Sequence, residues 1–341
     1  MTFCGIWDED ESSRQQSPHA AVMLFDSIVR SATHLRHLRL YNPVPLSSSS
    51  LRALANCNNL ESLILSKDIA VDAPAVRALS SIGTLRSVTM TLLLNASEPV
   101  SVSLGFAAGF RNCDRLSLRG NIRDLDRFIE AMDTAMLRAL RLIVSEAAAA
   151  EDLEKTLAQI TRRMPRELQS FAISASHHSL TAGPVAFLDL LEPLLSLNNL
   201  VWVECKLTTV SPPHLSDGDI TRLAKAWPRI QRLDISFCAL DDFAEHQDVL
   251  GTVLRVPTFQ SLCSFAEHCV RLQTVRLPYI NLSKLPSKEA VPVRESLIEC
   301  FEIGGYLPGF EVKAAMPLAI LLDRQFPLLK TFNFFFFGGT F

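Results

Sequence analysis

Residues 217–235 read Asp217-Gly-Asp-Ile-Thr-Arg-Leu-Ala-Lys-Ala-Trp227-Pro-Arg-Ile-Gln-Arg-Leu-Asp-Ile235. In the first half, apolar residues recur three and four positions apart, which is the spacing of one buried stripe on a helix. The second half contains the apolar triplet Ile230, Leu233 and Ile235, whose last two members alternate with polar residues as in a short strand. This stretch therefore predicts one helix followed by one strand.

The same triplet, apolar-x-x-apolar-x-apolar, recurs eleven times along the chain. The copies are Leu35/Leu38/Leu40, Leu60/Leu63/Leu65, Leu85/Val88/Met90, Cys113/Leu116/Leu118, Leu137/Leu140/Leu142, Leu168/Phe171/Ile173, Leu200/Val203/Cys205, Ile230/Leu233/Ile235, Leu272/Val275/Leu277, Ile298/Phe301/Ile303 and Leu329/Phe332/Phe334. Successive copies start 24 to 32 residues apart, except for one interval of 42. This length and pattern are those of leucine-rich repeats, in which each unit is a strand plus a helix.

The fold class expected from these repeats is α/β. The chain should form a leucine-rich-repeat solenoid, a ribonuclease-inhibitor-like horseshoe of about eleven repeats, with a parallel sheet on the concave face and helices outside. A doubly wound nucleotide-binding fold is disfavoured, because it would show fewer and longer strands and a Gly-rich turn after the first.

The domain organisation follows the rhythm of the triplets. Residues 1–19, which include the acidic run Asp8-Glu-Asp-Glu11, are predicted to be a polar and disordered tail. Residues 20–341 are predicted to form the solenoid. The widened interval after Ile235 predicts a loop insertion at about 236–258.

Composition restricts the class of protein. Of the 341 residues, 48% are hydrophobic and 20% charged, which excludes a disordered chain, and the net charge of -3 lacks the basic balance of a nucleic-acid-binding domain. The eight cysteines are scattered singly, the opening residues are acidic, and no long apolar run occurs. We therefore expect no nucleic-acid partner, no membrane contact, and a cytoplasmic or nuclear location.

Two further stretches share the helix-to-strand junction of residues 217–235. They are Phe259-Gln-Ser-Leu-Cys-Ser-Phe-Ala-Glu-His-Cys-Val270 and Phe326-Pro-Leu-Leu-Lys330. The three stretches resemble the C-terminal repeats of fungal, basidiomycete-type F-box/leucine-rich-repeat proteins, in which a helix ends in Trp-Pro, Cys-Pro or Phe-Pro shortly before the next strand. Trp227-Pro228 and Phe326-Pro327 keep this motif, and Cys269-Val270 departs from it. The resemblance covers roughly residues 21–341 and is strongest from residue 215 onward.

That resemblance implies a substrate receptor of a cullin-type ubiquitin ligase, in which an F-box holds the Skp adaptor and the repeats hold the target. The residues ahead of Leu35 match no F-box. A Skp or cullin partner is therefore expected only if an F-box is supplied elsewhere. Two alternatives stay open, namely an adaptor unrelated to ubiquitin and a regulator of a GTPase.

Specific catalytic and nucleotide-binding motifs do not occur in the sequence. We expect no enzyme activity, no cofactor and no metal. The Phe334-Phe-Phe-Phe337 run allows either an end cap or a contact with a partner or a membrane.

Candidate binding residues lie at the strand positions that alternate with the apolar ones, where a protein target would meet the concave face. Arg115, Arg119 and Arg141 are placed to form forked hydrogen bonds with a carboxylate or phosphate. Trp202, surrounded by Glu204, Arg232 and Asp234, offers an aromatic anchor within a polar rim. Two further arginines, Arg39 and Arg276, occupy the same alternating positions. A mixed, solvated sheet with incidental ion pairs is the alternative.

Overall fold

The structure, a computed structural model, describes residues 2–5, 18–32, 34–41, 46–94, 109–146, 148–177, 186–209, 213–239, 256–282, 285–291, 293, 296–304 and 315–334. The chain divides into two compact units, Met1–Glu146 with Arg162–Glu167, and Ala147–Thr161 with Leu168–Phe341. Within the described ranges, no helix has both the length and the apolar character needed to cross a bilayer.

The first unit is a parallel sheet with helices between its strands. Its strands are β1 (Thr2–Gly5), β2 (His37–Leu40), β3 (Ser62–Leu65), β4 (Ala70–Val71), β5 (Ser87–Leu92), β6 (Arg115–Gly120) and β7 (Ala139–Val144). Its helices are α1 (Pro18–Ser31), α2 (Ser48–Ala53), α3 (Ala73–Ser80) and α4 (Ile122–Ala131), with a 3-10 turn at Leu54–Asn56. The strands pair in the order β1-β2-β3-β5-β6-β7, and β4 adds to β5.

The second unit repeats the same arrangement. Its strands are β8 (Ser170–His177), β9 (Trp202–Thr209), β10 (Arg232–Ala239), β11 (Thr274–Leu277), β12 (Cys300–Ile303) and β13 (Thr331–Phe334), paired in parallel in chain order. Its helices are α5 (Ala150–Arg163), α6 (Phe187–Leu191), α7 (Asp217–Ala226), α8 (Phe259–His268) and α9 (Ala315–Gln325). Only the part of α5 up to Thr161 belongs to this unit. Shorter 3-10 turns lie at Glu192–Ser196 and Lys288–Ala290.

Each of the eleven sequence triplets coincides with a strand. In every case the strand begins two residues after the first apolar residue, and the first ten triplets are buried throughout. The register aligns equivalent members, so that Leu233 pairs with Val203 on one side and with Val275 on the other. The elements form an α/β leucine-rich-repeat fold, which confirms the predicted fold class.

The helix-to-strand junction explains the Trp-Pro and Phe-Pro motif. Trp227, Cys269 and Phe326 each follow the last residue of a helix and are at most 2% exposed. The carbonyl of each accepts the N–H of the first triplet residue three positions later, at 3.0 to 3.1 Å. The side chain therefore fills the core while the main chain makes the turn, and Cys269 does this without a following proline.

At nine junctions between repeats in the described residues, one main-chain carbonyl accepts two N–H groups at the start of the next strand. The Arg36 carbonyl accepts from Glu61 and Ser62 at 2.8 and 3.0 Å. The Val201 carbonyl in the second unit accepts from Gln231 and Arg232 at 2.8 and 3.1 Å. This recurring bond fixes the start of every strand it touches, and hence which side chains face away from the core.

Two boundaries differ from the sequence prediction. Residues 2–5, which the sequence analysis assigned to a disordered tail, form β1. Their hydrogen-bonding partner is β2, and nothing in the local sequence indicates this pairing. Residues 236–239, assigned to the loop insertion, extend β10. Residues 240–255 and 6–17 lie outside the described ranges, as does the Phe run from residue 335.

Candidate functional site

The first unit carries a surface that we call the first strand face. It consists of the alternate residues of β2, β3, β5, β6 and β7, namely His37, Arg39, Ser62, Ile64, Ser87, Thr89, Thr91, Arg115, Ser117, Arg119, Ala139, Arg141 and Ile143. None of these thirteen residues is buried, whereas every strand residue between them is. One side of the sheet is therefore core, and the other meets solvent.

Register brings three of the predicted arginines together on this face. Arg141 pairs with Ser117, and Arg115 and Arg119 lie two residues before and after Ser117 on the same strand. With strands about 4.8 Å apart and a rise of about 3.3 Å per residue, the Cα of Arg141 lies about 8 Å from that of each of the other two. We call Arg115, Arg119 and Arg141 the arginine triangle.

Arg39 does not belong to this group. It lies in the same register row as Ser117, through Ile64 and Thr89. Four strand spacings of about 4.8 Å separate β2 from β7, which puts Arg39 about 19 Å from Arg141. Arg39 therefore lies on the first strand face, as predicted, but away from the arginine triangle.

No aspartate or glutamate occupies the first strand face. The nearby carboxylates precede the strands, where Glu61 lies 3.8 Å from Arg36 and Asp114 lies 3.8 Å from Arg115. The Arg115 side chain is 76% exposed in its pair. Such an exposed pair contributes little and is easily exchanged for another partner.

The predicted residues of the second unit form a different kind of cluster. In register, Trp202 pairs with Arg232, whose guanidinium carbon lies 5.4 Å from the centre of the indole ring. The next row is Glu204, Asp234, Arg276 and Glu302. Arg276 lies 4.0 Å from Asp234 and 3.9 Å from Glu302, and Lys206 lies 2.9 Å from Glu204. We call this set the charged cluster.

Burial separates the charged cluster from an open binding surface. Glu204 is 7% and Asp234 3% exposed, although sequence alternation predicted that both would face outward into solvent. Burial raises the pKa of the Asp234 carboxyl, and the positive charges of Arg276 and Lys206 oppose that rise. The neighbouring cations therefore offset only part of the cost of burying the Asp234 carboxylate. A direct contact between these residues and a partner stays a prediction.

Asp234 is expected to keep its proton to a higher pH than an ordinary aspartate, whose pKa is about 3.9. Arg276→Gln should raise this pKa further, because it removes the largest opposing charge. Carboxyl-carbon NMR titration measures both midpoints, and an unchanged midpoint in Arg276→Gln would contradict the assigned cause. Since the folded chain binds the proton more tightly, wild type should lose stability relative to Asp234→Asn as the pH rises through the folded pKa.

The sequence did not reveal one polar junction between helices. The Asp217 carboxylate accepts hydrogen bonds from the Thr258 N–H and hydroxyl, both at 2.7 Å, and from the Ser261 hydroxyl at 2.5 Å. It thereby ties the start of α7 to the start of α8. An aspartate at a helix start signals a cap, but here Ser216 is the cap, and Asp217 serves the neighbouring helix.

Comparisons with known proteins add little beyond these observations. No protein-family model matches the sequence, and no curated protein matches it. Among solved structures, the chain is similar to the leucine-rich repeat-containing protein LegL7 from Legionella pneumophila, at 15% identity, with 91% of this chain and 86% of that chain covered and a TM-score of 0.42. It is also similar to the Rad7 and Elc1 complex in yeast, at 11% identity, with 92% and 87% covered and a TM-score of 0.30.

Proposed function

We propose that the chain is a non-catalytic protein-interaction scaffold whose first strand face holds a protein target. The observation that carries this proposal is that, in every register row of that face, the side chains are exposed or half-exposed. The arginine triangle lies at the end formed by β6 and β7. Parallel strands hold the side chains at fixed spacing, so a partner meets a preorganised surface and little ordering is needed on binding. Exposed ion pairs contribute little to folding, so these arginines can exchange their present partners for those of a bound target.

The proposed relation to ubiquitin ligases rests on the sequence resemblance. In that role the repeats hold the target, and the Skp adaptor and cullin join through an F-box supplied elsewhere. We expect the unfused chain to show no binding to the Skp adaptor in calorimetric titration at micromolar concentration. A chain with an F-box fused ahead of Met1 should bind it. A clear binding isotherm from the unfused chain would contradict this division of roles.

Site-specific photo-cross-linking tests the scaffold proposal directly. A benzoylphenylalanine placed at Thr89, in the middle of the first strand face, should form a discrete adduct with a target protein in the cells that make the chain. The same residue placed at Arg52, exposed on α2, is the matched control and should form none. Equal adducts from both positions, or none from Thr89, would overturn the proposal.

A further inference from the structure

We infer that the arginine triangle binds a carboxylate-rich segment of the target protein, an assignment that rests on the proposed scaffold function and names the chemistry of its partner. Such a segment presents several single negative charges along a flexible chain. The triangle presents several single positive charges on a rigid sheet.

The charge on this side of the first unit contrasts with that of the whole chain. The protein carries a net charge of -3. The first strand face holds four arginines, Arg39, Arg115, Arg119 and Arg141, and none of its thirteen residues is a carboxylate. Positive charge is therefore concentrated where the sheet is open, which attracts an acidic partner and orients its approach.

The geometry suits carboxylates. Each guanidinium can donate two parallel hydrogen bonds to one carboxylate. Ser117 lies midway between Arg115 and Arg119 on β6 and pairs with Arg141 on β7, and on the other side of β6 Thr89 and Thr91 of β5 pair with Ser117 and Arg119. Ser117 and Thr89 are half-buried residues whose hydroxyl groups are neutral donors beside the arginines, whereas the Thr91 hydroxyl already donates to the Lys67 carbonyl at 3.0 Å. A bound carboxylate thus meets a cation and a neutral donor together.

The spacing favours a row of separate charges. The Cα atoms of Arg115 and Arg119 are four residues apart on one strand, about 13 Å, with Arg141 between them on the next. One phosphate group would engage only part of this span, whereas successive acidic side chains of a peptide cover it.

Nucleic acid fits this surface less well. Proteins that hold single strands interleave aromatic side chains with their cations, so that bases can stack. The first strand face contains no tryptophan, tyrosine, phenylalanine or lysine. The neutral donors beside its arginines are hydroxyl groups, which can bond to carboxylates but offer no stacking surface.

Fluorescence anisotropy with a labelled peptide of alternating Glu and Ser tests the inference, and a peptide of alternating Gln and Ser serves as the probe control. The variant Arg115→Ala/Arg119→Ala/Arg141→Ala should lose affinity for the acidic peptide by roughly tenfold or more, since charge-assisted bonds are lost. The matched variant Arg52→Ala/Arg111→Ala/Arg123→Ala removes the same charge from exposed positions on α2, a turn and α4. It should keep nearly the full affinity.

Equal loss in the two variants would overturn the inference, because long-range attraction alone would then explain binding. Tighter binding of a labelled single-stranded oligonucleotide, or of a singly phosphorylated Ser-Gly peptide, than of the acidic peptide would also overturn it. Thermal melting checks that the triple variant folds. Arg115→Glu, at a side chain that is 76% exposed, supplies a second variant that leaves the core untouched and should also weaken binding.

The two proposals fail separately. An adduct from Thr89 in cells, without acidic-peptide binding in vitro, overturns the acidic-segment inference and leaves the scaffold function standing. Peptide binding that the triangle variant weakens, without any adduct from Thr89, supports the site and removes the proposed cellular role.

Discussion

Replacing Trp227 with alanine is expected to lower the free energy of unfolding by about 3–5 kcal/mol, the range found for fully buried tryptophan and phenylalanine. Trp227 is 1% exposed, and its indole N–H donates to the Leu194 carbonyl at 3.2 Å. The substitution leaves a large cavity between two repeats and removes one of two donors to the Leu194 carbonyl, which keeps the Leu197 N–H at 3.0 Å. The turn to Ile230 holds the main chain at residue 227 in place, so the cavity cannot easily close. The cost of the cavity and the cost of the lost hydrogen bond therefore add.

Urea unfolding of the purified chain measures this loss. Trp227→Phe should recover most of the stability, since it refills the core but leaves the Leu194 carbonyl without its indole donor. Trp202→Ala makes the same chemical change at a half-buried residue of the second unit and should cost at most half as much. Equal losses at residues 227 and 202 would show that the junction residue has no special part in the core.

The repeat that contains Trp227 also shows how much of the fold could be predicted from the sequence. The apolar triplet is a local pattern with a local cause, since two alternating apolar residues can be buried together only on a strand. All eleven triplets therefore located strands correctly. The junction motif was recognised by resemblance, and the structure supplies its reason, a buried side chain at a tight helix-to-strand turn.

Other features depend on partners distant in sequence. Strand β1 forms because β2 provides its hydrogen-bonding partners, and nothing within Thr2–Gly5 predicts that pairing. Alternation showed that Glu204 and Asp234 point away from the helices, but it cannot show whether that side is covered, and both proved buried. By the same argument, alternation correctly identified Arg115, Arg119 and Arg141 as exposed or half-exposed.

Asp217 is the sharpest case of a role that sequence does not reveal, because its partners lie 41 and 44 residues away. Asp217→Ala should lower the free energy of unfolding by about 2–4 kcal/mol, since hydrogen bonds to a charged group contribute about 1.5–3 kcal/mol each but are not additive. The Thr258 hydroxyl also accepts the Gln260 N–H at the start of α8. Losing its acceptor therefore loosens that cap as well.

A double-mutant cycle with Ser261→Ala isolates this junction from general effects of the substitution. We expect a coupling energy of about 1–2 kcal/mol between Asp217 and Ser261, the range of residues that share one hydrogen-bond network. Arg222 lies on the same helix as Asp217, and Arg222→Ala, which breaks only the exposed 2.9 Å ion pair with Glu192, is the control and should cost about 1 kcal/mol or less. Additive losses at Asp217 and Ser261 would mean that the carboxylate acts on α7 alone, and that the two helices are joined by apolar packing without it.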